Sequence, residues 1–221
     1  MVIGKDFAWA HLAKAGGEMT HALFRLFPEV IEYADPGETV EQHTAFQDRP
    51  EQVEGKLRVL NIRRLPKWML SFHVWKSVVG VLPDFEKGPM LSPHQMADSN
   101  VADAFLIRYM QPDEPKIDVW IRTENMIDDF LAFIGGYVEL TPEKEAEVRG
   151  APRVNEVSYD KAVDHWFSSA HIRLMYLRNP IWATVERAVY GGTADGEDPI
   201  GPAPEWLRPI EDLGKAAALS T

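Results

Sequence analysis

The chain has 221 residues, 45% of them hydrophobic and 26% charged, with a net charge of −11 and no cysteine. That size and balance predict one soluble globular domain with a sizeable core. The acidic balance argues against a general DNA or RNA binder, and the lack of cysteine excludes disulfides, thiolate metal sites and cysteine nucleophiles. No apolar run is long enough to cross a bilayer, and residues 1–6 lack the apolar core of a signal peptide, so a cytoplasmic location away from membranes is expected.

Phe7 to Leu12 is an apolar run of strand length. It is followed by Lys14, by Gly16-Gly17, and by a helical spacing of Met19, Ala22, Leu23, Leu26, Phe27 and Val30, with Pro28 ending the helix early. Residues 34–56 are polar, with Pro36, Gly37 and Pro50, and predict a long loop. Leu57–Arg63 is a second strand, and Pro66 suits the first turn of a helix through Trp68, Met69, Phe72, Trp75 and Val79 that stops near Gly80. Residues 83–100 are loop-like, and a helix capped by Asp98 or Ser99 covers Val101 to Met110. Asp118–Thr123 is a third strand, with a helix from Asn125 to Ile134 behind it and a short charged helix near Glu143 to Val148. Ser158 is placed as the cap of one long helix to Leu177, and Pro180 starts another that stops at Gly191-Gly192. Residues 1–192 are expected to form the single domain, and residues 193–221, rich in Gly and Pro, a loosely ordered tail. Strands alternating with helices predict an α/β fold with a mainly parallel central sheet. Ligands of such sheets bind at the carboxyl ends of the strands, where Lys14 and Arg63 both fall.

The segment from Phe7 to Thr20 has the outline of a phosphate cradle. Two glycines let the backbone approach an anion, the N–H groups opening the helix point at it, and Lys14 supplies a full charge. The order differs from the nucleotidase P-loop, in which the lysine follows the glycines. A tight strand–helix turn with an exposed lysine is the plainer alternative. Further along, Arg63 and Arg64 follow a strand end and Ser71 lies on the next helix; by residue type alone these are a surface arginine pair and a helix serine.

His11-Leu-Ala-Lys-Ala-Gly-Gly17 resembles the His-Ile-Pro-Lys-Thr-Gly-Gly-Thr-Ser loop of carbohydrate-type sulfotransferases, and Arg63-Arg-Leu-Pro-Lys-Trp-Met-Leu-Ser71 resembles the 3′-phosphate motif of the cytosolic members. Val119 to Phe130 and Arg149 to Ser158 are similar to that family's late strand and closing segment. The resemblance implies a P-loop-NTPase-like three-layer sandwich and transfer of a sulfuryl group from 3′-phosphoadenosine-5′-phosphosulfate (PAPS) to a hydroxyl or amine of a sugar or small-metabolite acceptor, without a metal. Residues Lys14, Ala15, Gly16, Gly17, Glu18, Met19 and Thr20 then hold the 5′-phosphosulfate, with Lys14 also catalytic. Arg63 and Ser71 hold the 3′-phosphate, and Arg153 comes from a covering loop. The base that takes the acceptor proton lies between the two motifs, with His43 first and Glu41 next, whereas His73 suits packing.

Glu18 and Met19 stand where the family has two hydroxyl residues. Thr20 supplies a hydroxyl one position later. Glu18 turns outward, caps the helix, or serves as the base. The tryptophans Trp68, Trp75, Trp166 and Trp182 fit helix core faces, or else line an acceptor pocket. A nucleotide-dependent kinase and a catalytically degenerate binding protein of the same fold are the rival functions.

Overall fold

The computed structural model describes residues 1–36, 43–78, 91–110, 117–154 and 158–194. They form an α/β fold that divides into two compact units. The sheet unit draws on residues 1–62 and 107–155, and the helical unit on residues 63–106 and 156–203.

The sheet unit contains five strands: β1 (Val2–Ile3), β2 (Phe7–Ala10), β3 (Tyr33–Ala34), β4 (Leu57–Ile62) and β5 (Val119–Arg122). Their order across the sheet is β3-β1-β2-β4-β5. The three predicted strands are the parallel ones, with Trp9 beside Val59 and Leu60 beside Trp120. Strands β1 and β3, which no pattern in the sequence predicts, run antiparallel at one edge. Strand β2 is buried along its whole length, the pattern of a parallel strand covered on both faces.

Helices α1 (Gly17–Phe24), α2 (Pro50–Val53), α6 (Met126–Ile134) and α7 (Pro142–Arg149) belong to this unit. Phe7, Trp9, Val59 and Ile121 from one sheet face, Leu23, Phe24 and Phe27 from α1 and its exit, and Phe130, Phe133 and Ile134 from α6 make one core. Aromatic pairs at preferred spacings build its centre: Phe7 and Phe133 meet edge-on at 5.1 Å, as do Phe24 and Phe130. Position 61 puts an amide on this apolar face, and Asn61 is satisfied there: the Trp9 indole N–H donates to its oxygen (2.6 Å), and its amide donates to the Thr20 hydroxyl (2.8 Å).

The helical unit holds α3 (Leu65–Val78), α4 (Pro93–Ala97), α5 (Val101–Ile107, its last residue counted with the sheet unit), α8 (Val163–Trp166), α9 (Ser169–Arg178) and α10 (Pro180–Tyr190). Trp68 stacks on Phe72 at 5.1 Å and meets Trp182 at 5.0 Å, while Phe72 meets Phe105 edge-on. Trp68 and Trp182 are core residues, and Trp75 and Trp166 are half-buried. The long helix predicted from Ser158 is instead two helices. Phe167 is extended between them, and Ser168 opens α9 by accepting from the His171 N–H. The segment predicted as loop at 83–100 contains α4, capped by Ser92, and residues 79–90 lie outside the described set.

Two buried carboxylates organise this unit. Asp103 accepts from the Ile181 and Trp182 N–H groups (3.1 and 2.7 Å), satisfying donors that the first turn of α10 leaves open. Fully buried Glu186 accepts from the Leu65 N–H opening α3 (2.7 Å), from the Tyr176 hydroxyl (2.8 Å) and from the Arg64 guanidinium (3.0 Å).

Candidate anion-binding site

The loop after β2 is shaped by two left-handed residues, Lys14 (φ 62°) and Gly16 (φ 83°). For a lysine this conformation costs about 1–2 kcal/mol, so the surrounding structure holds it in place. Backbone and hydroxyl hydrogen bonds do so. The Ala15 N–H donates back to the Leu12 carbonyl (3.3 Å). The Ala15 carbonyl accepts from the Thr123 hydroxyl (2.7 Å), which also lies 3.0 Å from the Ile62 carbonyl at the end of β4. The Gly16 carbonyl accepts from the Thr20 N–H (3.1 Å).

With those carbonyls turned inward, trans peptide geometry points the Gly16 and Gly17 N–H groups the opposite way. A left-handed Gly16 followed by helical Gly17 forms the backbone concavity known as an anion nest, at the positive end of α1. Gly16 is favoured by its left-handed φ, and Gly17 by the lack of room for a side chain. A Cβ on Gly16 would overlap the Met126 methyl, and one on Gly17 would overlap the His11 imidazole.

Two histidines flank the loop. His11 is buried against the Trp9 ring, and its ring centroid lies 4.6 Å from that of His43. The Tyr109 hydroxyl is 2.8 Å from the His11 carbonyl and 3.2 Å from the His43 carbonyl, and His43 Nδ1 lies 3.2 Å from the same His11 oxygen. Burial pushes the pKa of His11 well below the ordinary histidine value and lowers that of His43, and the Lys14 charge pushes both the same way. The site therefore gathers Lys14, the nest, His11, His43 and Tyr109 within the sheet unit.

Other predicted residues occupy different places. Glu18 is half-exposed in the first turn of α1, where a carboxylate suits the helix dipole and opposes a bound anion. The Met19 side chain packs against the core. Thr20 does not offer its hydroxyl outward: it is fully buried, accepting from Asn61 and lying 3.3 Å from the Gly16 carbonyl. Glu41 falls outside the described residues, as does the tail from residue 195. Arg153 is exposed after α7.

In the helical unit, Arg63 immediately follows β4, is half-buried, and accepts the Trp182 indole N–H on its carbonyl (3.0 Å). Arg64 is committed elsewhere. Its guanidinium binds Glu186 and the Gly192 carbonyl and covers the Tyr190 ring at 4.2 Å. Ser71 lies buried on α3. The acidic segment after β5 is structural: Asp129 receives both Arg122 Nε and an Arg122 terminal nitrogen, as well as the Arg122 N–H. Sequence reasoning missed Asn61, Tyr109 and Thr123. A polar residue inside an apolar strand was the one available signal, and it marked Asn61.

Four histidines are held neutral in the folded protein. Burial lowers the pKa of His11, His21 and His43, and that of His73 to about 4. The unfolded chain takes up these protons near pH 6.5, whereas the folded chain resists them until lower pH. Stability is thus complete above about pH 6.5 and falls as the pH drops toward about 4. Urea midpoints measured across that range should decline continuously; a flat profile would show that these rings are solvated.

Among the described residues, no group of three or more His, Asp or Glu could hold a metal ion, and no helix is long and apolar enough to cross a membrane. No protein-family model, curated protein or solved structure matches the chain.

Proposed function

We propose that this protein is a cytoplasmic sulfotransferase with a P-loop-like three-layer fold. It moves SO₃ from PAPS to a hydroxyl or amine of a sugar or small metabolite. The observation that carries the reading is the loop from Lys14 to Gly17, in which a lysine and a nest of backbone N–H groups share one strained turn at a strand's carboxyl end. The neighbouring parallel strand ends at Ile62, directly before Arg63, the residue assigned with Ser71 to the 3′-phosphate. Arg64 is the weaker choice, because Glu186 already neutralises it.

In the transfer, the acceptor oxygen or nitrogen forms a bond to sulfur in line with the departing 5′-phosphate oxygen. The S–O bond to that oxygen breaks, and its electron pair stays with adenosine 3′,5′-bisphosphate. Lys14 offsets the charge on the leaving oxygen, and His43 takes the acceptor proton.

Thermal-shift titration with adenosine 3′,5′-bisphosphate, and separately with ATP and magnesium, tests the reading. The bisphosphate should raise the melting temperature of the wild type. Removing the charged contact in Lys14→Ala should weaken its binding by about 10- to 100-fold. Lys14→Gly should lose the same affinity yet be no less stable than Lys14→Ala, because glycine relieves the left-handed strain. A response to ATP alone would instead indicate a kinase.

A second reading is a catalytically degenerate binding protein of the same fold. It is favoured by Glu18 in the first turn of α1 and by the inward commitment of the Thr20 hydroxyl. Bisphosphate binding without sulfuryl transfer to any of a panel of hydroxyl and amine acceptors would select it.

A further inference from the structure

We infer that Thr123 is a positioning residue: its hydroxyl holds the Ala15–Gly16 peptide with the N–H outward, so that the loop is set to receive an anion before one arrives. The identity of the anion rests on the sulfotransferase reading; the orientation of the peptide rests on hydrogen bonding within the sheet unit.

The two peptides of the nest are held by different means. The carbonyl of the Gly16–Gly17 peptide accepts from the Thr20 N–H at 3.1 Å, a bond of the helical ladder, so its own N–H must point the other way. The Ala15–Gly16 peptide comes before the helix. Ala15 is fully buried, so its carbonyl needs a partner, and the Thr123 hydroxyl supplies one at 2.7 Å. A hydroxyl has one hydrogen to give. The Ile62 carbonyl is also in reach at 3.0 Å, and the shorter contact, at the usual length for an O–H···O bond, assigns that hydrogen to Ala15.

Thr123 is built to act as a latch. It follows β5 directly, and the residue before it is pinned to α6: Arg122 gives Asp129 its backbone N–H, Nε and a terminal nitrogen, all within 2.8 Å. The branched Cβ of Thr123 restricts its χ1. Its methyl lies against Gly16, 3.3 Å from where a Cβ would stand there. Without the hydroxyl, the buried Ala15 carbonyl loses its hydrogen. The peptide can then turn over, because that motion changes only ψ of Ala15 and φ of Gly16, and glycine accepts φ of either sign. A turned peptide aims a carbonyl dipole at the anion in place of an N–H.

The test uses ligand-free crystals of the full chain, grown without sulfate or phosphate, and solution titrations with adenosine 3′,5′-bisphosphate. Wild type, Thr123→Val and Thr123→Ser are compared. Valine keeps the shape and removes the hydroxyl, whereas serine keeps the hydroxyl and removes the methyl. The wild type and Thr123→Ser should show the Ala15 carbonyl on residue 123, and Thr123→Val should show it turned toward the site. Bisphosphate affinity should fall about tenfold in Thr123→Val, the loss expected when about one-tenth of the molecules keep the binding orientation, and should stay near wild type in Thr123→Ser. A wild-type carbonyl facing the site, a carbonyl unmoved in Thr123→Val, or a serine variant that behaves like the valine variant overturns the inference. The wild-type and serine arms decide the matter even where Thr123→Val does not fold. If the wild type binds no bisphosphate, the sulfotransferase reading falls, while the crystals still decide the role of Thr123.

Discussion

Replacing Glu186 with alanine should destabilise the protein by about 3 kcal/mol, the lower part of the range for breaking a buried ion pair. The side chain is fully buried and receives Arg64, the Leu65 N–H and the Tyr176 hydroxyl. Alanine removes all three acceptor contacts at once, leaving a buried amide donor at the start of α3 and a guanidinium without its counter-ion. Because the Arg64 side chain is 26% exposed, water recovers part of that loss, hence the lower figure. Glu186→Gln should cost less, since it keeps an acceptor for Leu65 and loses only the charge. Urea unfolding of the two variants, with an Arg64→Leu/Glu186→Leu double variant, measures the pair. The double variant should recover only the part of the loss that comes from the uncompensated charge, because an apolar pair still leaves the Leu65 N–H and the Tyr176 hydroxyl without their acceptor. Equal losses in Glu186→Gln and Glu186→Ala would mean that charge, and not the N–H acceptor, is what matters.

The second large effect is expected at Gly17. An alanine there places a methyl group inside the His11 imidazole, which also contacts the Trp9 and His43 rings. The ring cannot move aside without disturbing the nest or the His43 contact. Overpacking of this kind costs about 1–3 kcal/mol, and under the proposed function bisphosphate binding should fall more than tenfold, because the displaced loop would no longer present its N–H groups. Combining Gly17→Ala with His11→Ala removes the overlap. The pair should be less destabilised than the two single changes summed, as for residues in contact. Additive losses would show that the glycine is needed for its backbone alone and that His11 is not its neighbour.

The central elements were legible because long apolar runs and long periods leave few alternatives. Phe7–Ala10, Leu57–Ile62 and Val119–Arg122 appear where their patterns place them, as do the helices that follow. Strands of two residues, such as Val2–Ile3 and Tyr33–Ala34, carry no period and gain their pairing only from the neighbouring strand. The break at Phe167 was hidden because Ser158 and Ser168 are equally good caps by residue type, and tertiary packing decides between them. The glycines of the loop were legible from chemistry: Gly16 needs its left-handed φ, and Gly17 has no room for a side chain. The inward turn of Thr20 could also have been read, since Thr20, Leu23, Phe24 and Phe27 lie on one helical face. Tyr109 and Thr123 could not, because each acts on a carbonyl nearly a hundred residues or more away in the chain.

The strand pairing also shapes how the chain assembles. Phe7 joins Leu57, and Val59 joins Val119, so each parallel pairing of the sheet closes a long stretch of chain before any strand contact rewards it. The hairpin of β1 and β2 is the local pairing, and it joins only Val2 to Trp9 and Ile3 to Ala8. The sheet is therefore expected to form late and slowly, with the apolar strands Phe7–Ala10 and Leu57–Ile62 open to solvent until β5 arrives. Refolding yield should accordingly fall with protein concentration more steeply than for a chain built on local contacts.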